Sequence, residues 1–198
     1  MSLDDTLPTR RSIRFADFDY SQGGQYFLTI CAFEMRVLFG KMETNRILLN
    51  VIGRIALDCW RDIPNHFPLV ELHPFVVMPN HVHGILAIQD GHGCPAPLQN
   101  QHRAERFQHP TVASVPTIVR SYKSEVTYLA RRYLRRASLQ VWQSNYFERV
   151  LRNGDEFSNA CRYIFENPMM WHIDKANLRG TGHPCPSSPG LLLQPPLC

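Results

Sequence analysis

The apolar residues of this chain recur with two different periods, which predict strands and helices in alternation. Four short runs are rich in aromatic and β-branched residues, as strands are. These runs lie at residues 25–33, 69–78, 81–89 and 139–150. Elsewhere apolar residues recur every three or four positions, which is the spacing of one helix face. These helical segments lie at residues 44–63 and 117–136 and from about residue 154 to residue 167.

The resulting order is strand, helix, strand, strand, helix, strand and one more helix. This is the split βαβ order of a ferredoxin-like domain, so the predicted fold class is α+β, with an antiparallel sheet and helices packed against it. In that topology the first and third strands are neighbours in the middle of the sheet. The last helix can then lie across these two strands.

Three segments outside this pattern set the predicted domain boundaries. Residues 1–24 are polar and basic, residues 90–116 are rich in glycine, proline, glutamine and histidine without any period, and residues 176–198 are rich in proline. We predict one folded domain over residues 25–175, with an exposed loop at 90–116 and a disordered tail at 176–198. The loop histidines match no metal-ligand spacing, so we interpret them as incidental.

The charge of the chain suits a polyanionic partner without requiring one. The chain has 21 Lys and Arg residues against 17 Asp and Glu residues, a formal net charge of +4. Its six cysteines show neither a C-x-x-C pair nor zinc-ligand spacing, and no run is long and apolar enough to span a membrane. We therefore expect a reduced, cytoplasmic protein without a membrane partner.

Basic residues concentrate in two places. The helix at 117–136 carries six that we assign to its outer face, namely Arg120, Lys123, Arg131, Arg132, Arg135 and Arg136. Only Glu125 offers a compensating carboxylate in that helix, so we favour phosphate contact over a merely solvated face. In the N-terminal segment, Arg11 and Arg14 lie among aromatic residues. That combination suits nucleic-acid binding, and a mobile terminus explains it equally well.

A pair of histidines begins the third predicted strand. Because strand side chains alternate between two faces, His81 and His83 point the same way while Val82 points to the core. Two imidazole nitrogens on one face can hold one metal ion. The alternative is two ordinary strand histidines satisfied by hydrogen bonds.

A tyrosine and an asparagine share one face of the last predicted helix. Tyr163 and Asn167 are four residues apart, so they can reach the same site. Pro168 disfavours helical geometry for the residue before it, and we therefore predict that the helix ends at Asn167. The alternative is a half-buried tyrosine in a helix that an Asn-Pro pair terminates.

Four motifs, in this order, resemble those of the HUH single-tyrosine transposases, and most closely the REP-associated tyrosine transposases of bacteria. They are Met78-Pro79-Asn80-His81-Val82-His83, Tyr122-Lys123-Ser124, Trp142-Gln143 and Tyr163-Ile164-x-x-Asn167-Pro168-x-x-Trp171. The resemblance extends from about Arg11 to Trp171. It implies that residues 25–175 form a domain that cleaves and rejoins single-stranded DNA beside a hairpin of a repetitive extragenic palindrome.

The resemblance also implies a role for each site residue. Tyr163 is the expected nucleophile, forming a 5′-phosphotyrosine bond, and His81, His83 and Asn167 are the expected ligands of Mg²⁺ or Mn²⁺. The expected DNA contacts are Arg11, Arg14, Arg120, Lys123, Arg131, Arg132, Trp142 and Gln143. The protein is expected to associate with the nucleoid through DNA, as a monomer or a homodimer.

Two functions of other classes remain open from the sequence. A non-catalytic nucleic-acid-binding module on a ferredoxin-like sheet would be indifferent to metal and to the loss of Tyr163. A metal-dependent phosphodiesterase in which His81 and His83 activate water would turn over without a covalent adduct.

Overall fold

The computed structural model describes residues 23–44, 46–89 and 114–171. Its strands are β1 (Gly24–Cys31), β2 (Gly40–Glu43), β3 (Arg46–Leu49), β4 (Val70–Val77), β5 (His81–Ile88) and β6 (Phe147–Leu151). Its helices are α1 (Val51–Arg61), α2 (Ile63–His66), α3 (Val115–Leu134) and α4 (Gly154–Met170), and a short 3₁₀ turn follows β1 at Phe33–Met35. Within the described residues, no helix is long and apolar enough to cross a membrane.

Four of the strands form one antiparallel sheet in the order β4-β5-β1-β6. The predicted α+β fold class, an antiparallel sheet with packed helices, is therefore confirmed, and β1 and β5 occupy its centre. Along these central strands Thr29 lies opposite His83 and Cys31 lies opposite His81. The start of β5 is thus held against the end of β1.

Alternation along the strands divides the core between the two faces of the sheet. One face carries Tyr26, Leu28 and Val82 and packs against α1 and α3 in the larger hydrophobic cluster. The other face carries Phe27 and Ile85 and packs against α4. The histidines share the α4 face, because they lie opposite Thr29 and Cys31 on β1.

The helix predicted at 44–63 was wrong in its first third. Residues 46–49 are strand β3, which pairs with β2 as a separate two-stranded sheet. Helix α1 begins at Val51 because Asn50 caps it, accepting a hydrogen bond from the Gly53 backbone N–H at 3.0 Å. The same Asn50 side chain donates to the Leu38 carbonyl at 2.9 Å and so holds the helix start to the chain before β2.

Two other predicted boundaries also differ. Of the strand predicted at 139–150, only Phe147–Leu151 is strand, preceded by an isolated bridge between Trp142 and Ala32. Helix α4 does not end at Asn167 but continues through Pro168 to Met170. A proline removes one backbone hydrogen bond from a helix, and here the helix nevertheless adds most of another turn.

Cysteine oxidation differs from the expectation as well. Cys59 and Cys161 are free thiols. Cys31, however, is disulfide-bonded. The expectation of a fully reduced protein is therefore wrong at Cys31. The predicted N-terminal segment, nearly all of the loop and the tail also lie outside the described residues, as do Arg11 and Arg14.

Candidate active site and basic groove

The two histidines are buried side by side at the start of β5. His81 is 5% exposed and His83 is 4% exposed, and their ring centroids are 4.4 Å apart. They occupy the first and third positions of the strand, so the pleat places both on the α4 face. The predicted pairing of the two rings on one face is what the structure shows.

Each histidine is fixed by a hydrogen bond at its Nδ1 atom. His83 Nδ1 lies 2.9 Å from Thr29 Oγ1, which reaches it from the opposite strand. His81 Nδ1 lies 2.7 Å from the Oδ1 of its neighbour Asn80. Both polar partners are themselves buried, so each ring has a fixed orientation.

Burial keeps both imidazoles neutral. It lowers the pKa of His81 to about 4. Burial, followed by the proximity of His81, lowers the pKa of His83 well below its usual value, against an opposing hydrogen bond with the Leu28 backbone. A neutral imidazole has one nitrogen with a free lone pair, which is the form that binds metal ions.

Tyr163 extends from α4 to the histidine pair. Its hydroxyl oxygen lies 3.4 Å from His83 Nε2, and the two rings meet edge to face with centroids 5.1 Å apart. The next residue, Ile164, is buried against Phe27 and Ile85 and so anchors this turn of α4 on the sheet. The half-buried tyrosine is therefore held with its hydroxyl at the histidines.

The end of α4 completes the surroundings of the pair. Asn167 is 7% exposed and lies one turn beyond Tyr163 on the same helix face. Trp171 follows the helix and stacks on His81, with centroids 6.3 Å apart and an interplanar angle of 25°. Continuation of the helix past Pro168 places Trp171 where it covers the His81 ring.

The donors at this site fit a divalent metal ion. Among the described residues, His81 Nε2 is buried and has no hydrogen-bond partner. A buried nitrogen without a partner costs folding free energy unless a bound metal ion accepts its lone pair. No group of three or more His, Cys, Asp or Glu side chains suited to a metal occurs within residues 23–44, 46–89 and 114–171. Asn167 is the buried amide on the helix face that carries Tyr163, and its side-chain oxygen is the candidate third donor.

A second feature, which we call the basic groove, has a volume of about 1230 Å³ and runs beside α3. Five cationic side chains line it, namely Arg120, Lys123, Arg131, Arg132 and Arg135. No acidic residue is among the described residues that line it. Trp142 and Gln143 line it too, so the groove brings together all six predicted DNA contacts that the structure describes.

Two of these six residues have structural roles. Lys123 Nζ donates to the backbone carbonyls of Gln143 at 2.5 Å, Ser144 at 3.1 Å and Asn145 at 3.5 Å, and burial lowers its pKa to about 8. Trp142 is 9% exposed, and its ring packs in the core against Phe39, with centroids 4.9 Å apart. Both residues therefore shape the wall of the groove more than they offer free surface to a ligand.

Sequence reasoning missed several residues that the structure places at the two sites. Thr29 and Asn80 hold the histidines, and the exposed Tyr128 lines the basic groove. The one local signal for Thr29 was its own polar side chain inside the apolar run of β1. No comparable local signal marked Asn80 or Tyr128.

Comparisons with known proteins agree with this architecture. No family model matches the chain. An uncharacterised protein of Haemophilus influenzae is 38% identical over 169 residues, which cover 84% of this chain and 92% of that protein. A REP-associated tyrosine transposase, solved bound to a REP hairpin, superposes with a TM-score of 0.53 and 18% identity over 83% of this chain and 75% of its own. A candidate transposase of Deinococcus radiodurans gives a TM-score of 0.43 and 16% identity, covering 79% of this chain and 98% of its own.

Proposed function

The chain belongs to one family with the Haemophilus influenzae protein and has the fold of a REP-associated tyrosine transposase, and from this premise we propose that it cleaves and rejoins single-stranded DNA. We propose that it acts at hairpin-forming palindromic repeats, through a 5′-phosphotyrosine intermediate. The observation that supports this most directly is the Tyr163 hydroxyl 3.4 Å from His83 Nε2, beside the buried histidine pair.

In the proposed reaction Tyr163 attacks the scissile phosphodiester. The bond between its hydroxyl oxygen and phosphorus forms as the phenol gives up its proton, the bond from phosphorus to the 3′ oxygen breaks, and the departing oxygen takes up a proton to become a 3′ hydroxyl. The 5′ side of the strand stays on the tyrosine. One phosphodiester replaces another, so a 3′ hydroxyl can reverse the step and rejoin strands without a nucleotide cofactor.

In this proposed reaction the protein itself holds the nucleophile in position within a buried site. The packing of Ile164 and the edge-to-face contact of Tyr163 with Phe27, whose centroid lies 6.0 Å away, hold the nucleophile in one place before the DNA arrives. His81, His83 and Asn167 are the residues that would hold Mg²⁺ or Mn²⁺. When bound, the ion would supply Lewis-acid polarisation of the phosphate, and neutral ligands would leave its charge undiminished.

The basic groove is the proposed contact with the DNA backbone. Among the described residues that line it, five are cations and none is a carboxylate, which suits a polyanion, and the structural neighbour was solved with a REP hairpin. Arg120, Arg131 and Arg132 are the proposed phosphate contacts, and Lys123, Trp142 and Gln143 shape the wall that the strand follows. Association with DNA would place the protein at the nucleoid in the cytoplasm, as a monomer or a homodimer.

Covalent capture tests this proposal. Purified protein is incubated with labelled single-stranded hairpin DNA and Mn²⁺, and the products are separated on a denaturing gel. We expect a labelled band at the mass of the protein that is absent with chelator and with Tyr163→Phe. Tyr133→Phe is the matched control, because Tyr133 is 64% exposed on α3, the helix that packs on the other face of the sheet; it should keep the band.

Two other outcomes would replace the proposal. Metal-dependent cleavage that survives Tyr163→Phe, with no covalent band, would indicate a phosphodiesterase that activates water. DNA binding without either cleavage or an adduct, with several hairpins from the source genome, would indicate a non-catalytic binding module.

A further inference from the structure

Both histidines contact a buried polar side chain through the same ring nitrogen, Nδ1. In both rings Nδ1 is occupied by a buried polar side chain, Thr29 Oγ1 at 2.9 Å and Asn80 Oδ1 at 2.7 Å. In both rings these side chains leave Nε2 without a contact to them. His83 Nε2 faces the Tyr163 hydroxyl, and His81 Nε2 is buried with no hydrogen-bond partner among the described residues.

The chemistry of the partners decides which nitrogen carries the proton. An amide oxygen only accepts hydrogen bonds, so the Asn80 oxygen requires a proton on His81 Nδ1. A threonine hydroxyl can donate or accept, so Thr29 Oγ1 can accept a hydrogen bond from a proton on His83 Nδ1. On the opposite side of that ring, the Tyr163 hydroxyl can donate to a bare Nε2. The form protonated on Nδ1 satisfies all of these contacts.

We infer that Thr29 and Asn80 are positioning residues that hold His83 and His81 in the Nδ1–H tautomer, with both Nε2 lone pairs directed into the site. An imidazole in water mostly carries its proton on Nε2, so the protein selects the less common form. The consequence for metal binding rests on the proposed function, whereas the tautomer itself does not. Metal-ligating histidines depend in this way on what their other nitrogen donates to.

Nitrogen NMR of the metal-free protein at neutral pH tests the tautomer directly. Long-range ¹H–¹⁵N spectra of ¹⁵N-histidine-labelled protein should show Nδ1 protonated and Nε2 bare in both rings. Thr29→Val keeps the shape of the side chain but removes the hydroxyl, and we expect it to shift His83 toward the Nε2–H form while His81 is unchanged. Thr29→Ser restores a hydroxyl and should restore the wild-type spectrum.

Three results would overturn the inference. One is a wild-type protein with Nε2–H on either ring. Another is a Thr29→Val protein in which His83 keeps its Nδ1 proton, which would show that Thr29 does not set the tautomer. The third is Thr29→Ser behaving like Thr29→Val. Asn80→Asp, which keeps the accepting oxygen, and Asn80→Ala, which removes it, repeat the comparison for His81 should a Thr29 variant fail to fold.

Mn²⁺ affinity, measured from the electron paramagnetic resonance signal of the free ion, gives the second readout. Loss of a hydrogen-bond partner behind a metal-ligating histidine typically weakens metal affinity about 10–100-fold, which we expect for Thr29→Val, with recovery in Thr29→Ser. An unchanged affinity in Thr29→Val would count against Thr29. A wild-type protein with the Nδ1–H tautomer but no Mn²⁺ binding would leave the positioning role intact and refute the metal site of the proposed function.

Discussion

Replacing Gly84 by alanine should destabilise the protein, because the new methyl group would occupy space that the Trp60 ring already fills. A Cβ atom at position 84 would lie 2.2 Å from Trp60 Cζ2, 2.8 Å from Cη2 and 2.9 Å from Cε2. Carbon atoms in contact are normally about 3.5–4.0 Å apart, so the ring would have to move by more than about 1 Å. Trp60 is 1% exposed and packs against Phe75 and Tyr122, with centroids 5.7 Å and 5.3 Å away, so it cannot move without displacing them.

The size of the effect follows from two opposing contributions. Overpacking a buried site typically costs about 1–3 kcal/mol, and three short contacts with a rigid ring place Gly84→Ala near about 3 kcal/mol. Replacing glycine also reduces the conformational freedom of the unfolded chain, which offsets about 0.5–1 kcal/mol. We therefore expect the free energy of unfolding to fall by about 2 kcal/mol.

Urea unfolding followed by circular dichroism measures this change. The midpoint should fall while the slope stays the same, since the surface exposed on unfolding is unchanged. Gly154→Ala is the matched control, because a Cβ atom there would meet nothing within 4 Å. Gly84→Ala should also cost less in a Trp60→Phe background, where the ring is smaller. A wild-type midpoint for Gly84→Ala, or an equal cost in both backgrounds, would refute the packing argument.

Two further predictions concern α3 and the basic groove. Because burial lowers the pKa of Lys123 from 10.5 to about 8, the unfolded chain binds a proton that the folded chain lacks between these pH values. The free energy of unfolding should therefore rise from pH 8 toward 10.5 relative to that of Lys123→Met, and a pH-independent difference between the two proteins would contradict this. Replacing both Arg131 and Arg132 by alanine should weaken DNA binding for all sequences. It should also reduce the slope of log Kd against the logarithm of the salt concentration by about 2. Arg61→Ala, outside the groove, should leave that slope unchanged, and an equal loss in both proteins would contradict the assignment of the groove.

Local periodicity predicted much of the fold, and its failures have local causes. Residues 46–49 alternate in exposure as a strand does, but their apolar members also fit the helical spacing that continues into α1. A four-residue strand is too short for periodicity to separate the two. The turn before it includes Thr44 in a left-handed conformation, with φ of 45°. Residues other than glycine rarely adopt this conformation, so it is hard to predict from sequence.

The candidate site divides in the same way between local and non-local information. Strand alternation alone placed His81 and His83 on one face, and helical spacing placed Asn167 one turn from Tyr163. The distance between the two pairs depends on how α4 packs on the sheet, since 80 residues separate Tyr163 from His83. The partner of His83, Thr29, is 54 residues away in the chain and was brought opposite it by the β1–β5 register. No short-range pattern contains either contact.

Backbone contacts join the groove to the histidine end of the sheet, although α3 and α4 pack on opposite faces. The Gln143 N–H donates to the carbonyl of Cys31 at 3.0 Å, and Cys31 lies opposite His81 in the sheet. The Ala32 N–H, one residue on, donates to the Asn80 carbonyl at 2.8 Å, and Ala32 also forms a bridge with Trp142. Two backbone hydrogen bonds at the end of β1 thus link the wall of the groove to Asn80, the residue that hydrogen-bonds to His81.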